Sequence, residues 1–253
     1  MGYSVMCLSI IPIYVDKDVT TSDDLTELIL SSMKKQKQRL LDNDILVITH
    51  KIVSKTEGRL VHLSSVKASK HARSIATQHN KDPRVVELIL RESKRIVKIK
   101  RGIIITETKH GLVCANAGID YSNVCGDFVS LLPLNPDRSA SSIRSKIKNL
   151  TGKDVAVIIT DTFGRPFREG QVNVAIGVSG LNPIMDYRGL IDMYGKTLKV
   201  TEIAVADEIA SAAELAMGKL DRIPLAIVRG FKYEDKKGSA RQLIRKSKND
   251  LFR

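Results

Sequence analysis

Short apolar runs alternate with amphipathic stretches along most of the chain. Runs of four to eight apolar or alternating residues predict β-strands, and apolar positions three and four apart predict helices. The predicted strands are Met6–Ile13, Ile45–Thr49, Gly102–Thr106, Leu112–Ala115, Val155–Ile159, Asn173–Ser179 and Pro224–Val228. The predicted helices run from Asp23 or Asp24 to about Gln38, from Asp82-Pro83 to Ser93, over Ser139–Asn149 and over Val205–Met217. This mixed order favours an α/β or α+β fold over a helical bundle or a β-sandwich.

The chain has no internal repeat, and its clearest break is the stretch from Pro133 to Pro136. At 253 residues it can bury one large core or two smaller interlocked ones. We therefore expect one unit over residues 1–253, with two intertwined subdomains that meet near 133–136. The G-x-x-x-x-G-K-[ST] and G-x-G-x-x-G patterns are both absent, so neither a P-loop nor a classical Rossmann fold is expected.

Composition and the first residues of the chain indicate the cellular compartment in which the protein is expected to act. No apolar run approaches the roughly 20 residues that span a bilayer, which excludes a transmembrane helix. The first residues, MGYSVMCLSIIPIYV, lack the basic segment and cleavage site of a signal peptide, so we expect a cytoplasmic protein with no membrane association. Three widely spaced cysteines, Cys7, Cys114 and Cys125, fit neither a disulfide framework nor a zinc site. They are expected to be small buried hydrophobic residues.

The formal net charge of +13 raises the question of a nucleic-acid partner. The basic residues are spread along the chain, with local runs at 34–39, 91–101 and 241–248. Aromatic residues make up only 4% of the sequence and tryptophan is absent, whereas single-stranded RNA binders stack bases on aromatic rings. A basic surface also attracts nucleotides and polyanionic small substrates. Nucleic-acid binding is therefore the less favoured interpretation.

The segment VAVIITDTFGRPFREGQ, residues 155–171, carries the strongest candidate chemistry. Its apolar run is expected to stop as a strand at Asp161 and Thr162, and open α/β sheets bind ligands at the carboxyl ends of their strands. Carboxylate and hydroxyl oxygens suit hard metal ions, and Arg165 and Arg168 can hold phosphate or carboxylate groups. The segment indicates a metal-phosphate site. A solvated polar turn, with the arginines packed on its phenylalanines, is the alternative.

Two further segments add candidate ligands. NAGIDYSN supplies Asp120 and Asn123, and Asp120 can share a cation with Asp161, since magnesium usually takes one or two protein carboxylates. An Asx-type turn at Asp120 is the structural alternative. HKIVSKTEGR gathers Lys51, Lys55 and other polar groups into an expected turn region, where phosphate binding and a solvated basic face remain open.

Five sequence blocks together resemble the coenzyme F-420-0:γ-glutamyl ligase family, in the same order along the chain. They are HKIVSKTEGR, NAGIDYSN, TDTFGRPFREGQ, DYRGLIDMYG and AVADEIASAAELAMG. The similarity extends from about residue 8 to Gly230, without the nitroreductase-like extension of some bacterial members. It implies a GTP- and metal-dependent ligase with an α/β fold, in an intertwined homodimer. The substrates it implies are L-glutamate and a deazaflavin phospholactate, whose lactyl carboxylate receives glutamate in γ-linkage.

The resemblance also implies residue roles. The family's metal ligands fall on Asp120, Asp161 and Thr162. We expect catalytic roles for Asp161 and Asp120 through the metal, and for Arg165 and Arg168 as candidates to hold a phosphate or a substrate carboxylate. Guanine-nucleotide contacts fall on His50, Lys51, Lys55, Asn123, Met217 and Gly218. The implied cations are Mg²⁺ or Mn²⁺, with K⁺ as a further candidate. The acyl transfer would pass through an acyl phosphate made with GTP.

Two positions depart from the family's pattern. Members often carry Glu or Gln after the Met-Gly pair and direct it towards a second metal, but here that residue is Lys219. Either the second site is altered or Lys219 contacts phosphate directly. The early nucleotide loop, often Gly-Leu-Pro, reads Tyr14-Val15-Asp16-Lys17 here, so no contacts are assigned to it.

Overall fold

The computed structural model describes residues 7–122, 124–234 and 237–250, and these form a mixed α/β structure. The helices are Leu25–Lys35 (α1), His50–Thr56 (α2), Lys70–His79 (α3), Pro83–Glu92 (α4), Pro136–Thr151 (α5) and Val205–Met217 (α6). The strands are Ser9–Ile13 (β1), Ile45–Thr49 (β2), Leu60–His62 (β3), Ser93–Lys100 (β4), Ile103–Thr108 (β5), Val113–Ala115 (β6), Phe128–Ser130 (β7), Ala156–Arg165 (β8), Arg168–Ser179 (β9), Met185–Asp186 (β10), Glu202–Ile203 (β11) and Leu225–Arg229 (β12). Short 3-10 turns occupy Leu63–Ser65, Asn116–Gly118, Ala240–Leu243 and Ser247–Asn249. The expected mixed fold class is confirmed.

A five-stranded sheet in the order β1-β12-β2-β8-β9 organises the molecule. Only β2 and β8 among these neighbours run parallel. Helices cover both faces, which is why β2 reads as an unbroken apolar run, ILVIT. One face packs against α1, α2 and α5 through residues such as Ile29, Ile52 and Ile147. The other packs against α6 through Ile209, Ala213 and Met217.

A second core is built by the chain between β3 and β7. Its small sheets are β3-β7 and β4-β5-β6, and α3 and α4 pack against them. The chain enters this part directly after α2 and returns to the central sheet just before α5. The stretch 133–136 therefore lies at the return point, where Asn135 caps α5 by accepting a hydrogen bond from Arg138 N and Pro136 occupies the first turn.

The structure corrects several expectations. β8 does not stop at Ile159 but runs to Arg165, because Asp161 to Gly164 pair with β9 in a long antiparallel hairpin. HKIVSKTEGR is mostly the helix α2 and not a turn. Among the cysteines, Cys114 is buried, whereas Cys7 and Cys125 are exposed. No helix in the described part of the chain is long and apolar enough to cross a membrane.

Candidate active site

A cavity of about 510 Å³ opens where β2 and α6 end, beside the middle of β8. The parallel pairing of β2 with β8 stops there, at Thr49 and Thr160, and β8 continues past the cavity as part of the hairpin. Its polar lining residues are Lys17, Asp18, Thr49, Lys51, Lys55, Asp161, Thr162, Asn173, Glu214, Lys219 and Arg222. Apolar walls from residues such as Val15, Ile52 and Phe128 complete the cavity. The cavity thus combines an apolar wall with many charged groups.

Asp161 presents a carboxylate to this cavity. Its side chain is 11% exposed, and its Oδ1 lies 3.2 Å from Nε2 of His50. His50 is fully buried and is the first residue of α2; its Nδ1 lies 3.3 Å from Ser54 Oγ. His50 is not among the residues that line the cavity, and its expected contact with the nucleotide stays a prediction. Its Nε2 lies close to the Asp161 carboxylate without making a hydrogen bond to it.

Strand alternation sends Thr162 to the other face of β8. Its hydroxyl donates to Oδ1 of Asn173 at 2.7 Å, directly across the hairpin. Asn173 in turn donates from Nδ2 to Oε2 of Glu214 on α6 at 2.7 Å. The ammonium of Lys219 lies 2.8 Å from Thr162 Oγ1 and 2.6 Å from Glu214 Oε1. The Thr162 hydroxyl is therefore joined to this network, while Thr162 N donates to Asp161 Oδ1 at 2.7 Å. The expected metal ion shared by Asp161 and Thr162 stays a prediction.

Asp120 lies beside Lys51 at the edge of the site. The Lys51 ammonium is 2.8 Å from Asp120 Oδ2, and Ser122 N donates to Asp120 Oδ1 at 2.7 Å. Burial by itself would raise the pKa of Asp120, but the hydrogen bonds from Lys51 and Ser122 outweigh it and hold the pKa below its usual value. The Asx-type turn is therefore present, and the role of Asp120 as a metal ligand stays a prediction. Asn123, the expected nucleotide contact beside it, lies outside the described residues.

Lys51 and Lys55 both line the cavity, because they lie four residues apart on one face of α2. Met217 and Gly218 line the opposite wall at the end of α6, where Gly218 adopts a φ of 59°. These four expected nucleotide contacts are brought to one cavity.

Arg165 and Arg168 are held away from the cavity, at the tip of the β8-β9 hairpin. The Arg165 guanidinium donates to the carbonyl of Glu169 at 2.7 Å, and Phe167 between the arginines is 89% exposed. Neither arginine is part of the cavity lining. Their expected contact with phosphate or substrate stays a prediction.

Several cavity residues were missed by the sequence analysis. Lys17, from the loop to which no contacts were assigned, and Arg222 add positive charge. Glu214 and Asn173 add oxygen atoms, and Asn173 reaches the cavity because it lies across the hairpin from Thr162. Asp207, near the start of α6, accepts a hydrogen bond from Ala175 N at 2.8 Å. That contact gives it the structural role expected of an acidic residue in a first helical turn.

The donor groups decide where a divalent cation fits. The described residues contain no cluster of three or more histidine, cysteine or acidic side chains. A single carboxylate facing a cavity still suits Mg²⁺ or Mn²⁺, since such ions take further oxygens from phosphates and water. Asp161 meets this condition, whereas Asp120 is not among the lining residues and contacts the cavity residue Lys51. The oxygens of Thr162, Asn173 and Glu214 do not, because the ammonium of Lys219 lies among them.

The buried thiol of Cys114 gives no support for nucleophilic catalysis. Burial raises its pKa to about 12, and the negative charge of Asp161 adds to the effect. The thiol therefore stays protonated at neutral pH, and the thiolate is the nucleophilic form.

Fold and cavity together define a class: a mixed α/β protein whose cavity combines lysines with carboxylates at strand ends, suited to phosphate-bearing substrates. A family model described as F420-0:Gamma-glutamyl ligase matches residues 16–230. The Coenzyme F420:L-glutamate ligase of Methanothermobacter thermautotrophicus is 45% identical over 256 residues, covering 100% of both chains. Its namesake from Methanopyrus kandleri is 47% identical over 97% of this chain and 98% of its own, and that of Methanocaldococcus jannaschii is 49% identical over 84% and 85%.

The chain belongs to the F420-0:gamma-glutamyl ligase family. The resemblance drawn from its five sequence blocks is thereby confirmed.

Proposed function

We propose that this chain is a GTP-dependent ligase of coenzyme F420 biosynthesis, which adds L-glutamate in γ-linkage to the deazaflavin precursor F420-0. Family membership supports the ligase class. The observation that carries the proposal is the joint placement of Asp161, Lys51, Lys55 and the Met217-Gly218 turn on one cavity. A cavity of about 510 Å³ is within the usual range for small-molecule sites.

The reaction needs an activated carboxylate. An oxygen of the lactyl carboxylate attacks the γ-phosphorus of GTP, GDP leaves, and an acyl phosphate forms. The amine of glutamate then attacks the acyl carbon, loses a proton and displaces phosphate, which leaves an amide. Phosphoryl transfer depends mainly on positioning and on neutralising charge. The chain supplies both without a covalent enzyme intermediate.

Individual residues divide these tasks. Lys51 and Lys55 project from one face of α2 and would neutralise phosphate oxygens. Asp161, with Asp120 as a second candidate, would hold a Mg²⁺ or Mn²⁺ ion, which lowers the charge on bridged phosphates when bound. The backbone N of Thr162 donates to the Asp161 carboxylate at 2.7 Å and helps to hold it in place. Arg165 and Arg168 would need the β8-β9 hairpin to bend towards the substrate, and K⁺ has no assigned ligand among these residues.

We also propose that the protein acts as a cytoplasmic homodimer. The segment DYRGLIDMYG, residues 186–195, supports an interface because it exposes Leu190, Ile191, Met193 and Tyr194. Contiguous exposed apolar side chains of this kind are typical of protein–protein contacts. Light scattering on the purified chain should give twice the monomer mass, and Ile191→Asp should shift it towards the monomer. A monomeric wild-type protein would contradict the dimer.

Mass spectrometry tests the ligase directly. Purified F420-0 is incubated with the protein, GTP, Mn²⁺ and L-glutamate, and each ligation adds one glutamyl mass increment. The increment should vanish without GTP or without the metal. Glutamylation of a different phosphorylated carboxylate, with F420-0 inert, would instead identify a paralogous ligase. Tight RNA binding with no affinity for GTP would favour a nucleic-acid-binding protein.

A further inference from the structure

The ammonium of Lys219 lies among oxygen atoms only. Its neighbours are Glu214 Oε1 at 2.6 Å, Thr162 Oγ1 at 2.8 Å and Asn173 Oδ1 at 3.5 Å. They comprise a carboxylate, a hydroxyl and an amide carbonyl, the ligand types that hard divalent cations prefer. An ammonium with three donors can satisfy the same oxygens. Lys219 therefore fills a position that is chemically a cation site.

The oxygen atoms are held in place by their own contacts. Asn173 is 3% exposed, accepts from Thr162 Oγ1 and donates to Glu214 Oε2, each at 2.7 Å. The backbone of Asn173 also accepts a hydrogen bond from Ser211 Oγ on α6 at 2.8 Å. Replacing the lysine would leave this arrangement of oxygens standing with one uncompensated carboxylate. Such a carboxylate can be neutralised by a metal ion.

The position of Lys219 in the chain ties the ammonium to the cavity. It comes directly after the turn at Gly218 that ends α6, and both residues line the cavity. Its side chain is 53% exposed, so the charge faces the cavity as well as the oxygens. A substrate phosphate entering the cavity would meet a permanent positive charge there.

We propose that Lys219 is a built-in cation that replaces a divalent ion at the oxygen atoms of Thr162, Asn173 and Glu214. This chain then binds one divalent ion fewer than its Lys219→Gln variant does. The role of the ammonium towards phosphate rests on the proposed function. The difference in the number of bound ions does not, because it is a property of the protein without substrate.

The test counts Mn²⁺ ions bound to the purified full-length protein in the absence of nucleotide. The free ion is measured by electron paramagnetic resonance over a titration into the millimolar range. Lys219→Gln and Lys219→Glu should each bind one more Mn²⁺ than the wild type, with Glu giving the tighter site because it adds a carboxylate. Lys219→Arg keeps the positive charge and should bind the wild-type number.

Two controls make the count specific. Lys148→Gln breaks a comparable ion pair, 2.6 Å from Asp154 with a side chain 58% exposed, and should leave the number of bound ions unchanged. Adding Glu214→Gln to Lys219→Gln should remove the extra site. If wild type, Lys219→Gln and Lys219→Glu bind the same number of Mn²⁺ ions, the proposal is overturned. That result would mean that the ammonium of Lys219 does not exclude a metal ion from these oxygen atoms. Thermal unfolding establishes that each variant is folded, and if the Gln variant is not, the Glu variant decides.

Discussion

The substitution Asp161→Asn is expected to reduce turnover strongly and to change the stability of the protein only slightly. The substitution keeps the shape of the side chain and removes one negative charge from a carboxylate that lies 3.2 Å from His50 and faces the cavity. Removing one well-placed electrostatic partner of a transition state typically costs about 10²–10³-fold in turnover, or about 3–4 kcal/mol. We expect at least that loss, because Asp161 would also hold the metal ion.

The effect on stability should be much smaller. The amide oxygen of the asparagine side chain can still accept the hydrogen bond that Thr162 N donates to Asp161 Oδ1, so the cost is that of weakening one hydrogen bond, about 1 kcal/mol. For a chain of this length that corresponds to a shift of roughly 2–4 °C in the unfolding temperature. A larger loss would mean that the carboxylate is needed for folding.

The assay follows phosphate release with F420-0, GTP, glutamate and a Mn²⁺ series. Asp42→Asn serves as the control, because Asp42 pairs with Lys153 at 2.8 Å on the surface away from the cavity. Its turnover should equal that of the wild type. Near-normal turnover of Asp161→Asn at limiting Mn²⁺ would refute the assignment of Asp161 as a metal ligand.

Two further predictions concern stability. Arg229→Met should lower the free energy of unfolding by about 3–5 kcal/mol. The side chain of Asp44 is 1% exposed, and the substitution would remove its two 2.8 Å contacts with Arg229 and leave a buried charge. A decrease in unfolding temperature of less than 2 °C would contradict this. Hydrogen bonds from Ser69, together with Arg91, lower the pKa of Glu87 to about 2, so its stabilisation is present above about pH 4.5 and lost as the pH falls towards 2. Unfolding temperatures of wild type and Glu87→Gln should therefore differ at pH 6 and converge near pH 2, and a constant difference would argue against the shifted pKa.

Secondary-structure elements whose sequence pattern depends only on neighbouring residues could be predicted from the sequence. The predicted bounds of β2 and α6 agree with the structure, because an unbroken apolar run and an amphipathic alanine-rich stretch are both set by neighbouring residues. Pairing between distant residues was not visible in this way. β8 continues past Ile159 only because β9 pairs with its polar end. The helix α2 was missed because its basic residues resemble those of a surface turn.

The same distinction applies to the site. Asp161 could be proposed from the sequence, since a charged group that follows an apolar run indicates a ligand. The pattern left Lys51 and Lys55 open, and only the family resemblance implied a role for them. Asn173 and Glu214 could not, because hairpin register and the packing of α6 bring them to the cavity. The placement of His50 behind Asp161 is a further consequence of packing, here of the parallel pair β2 and β8.

Successive side chains of β8 point to opposite faces of the sheet, so neighbouring residues of this strand lie in differently charged surroundings. Residues 157 and 159 face the α2 side and residue 158 the α6 side, so Asp161 points towards His50 and Thr162 towards α6. The Asp161 carboxylate is the proposed place for a divalent ion, whereas the hydroxyl of Thr162 lies 2.8 Å from the ammonium of Lys219. On the face of β8 opposite Asp161, the carboxylate of Glu214 is neutralised by the ammonium of Lys219.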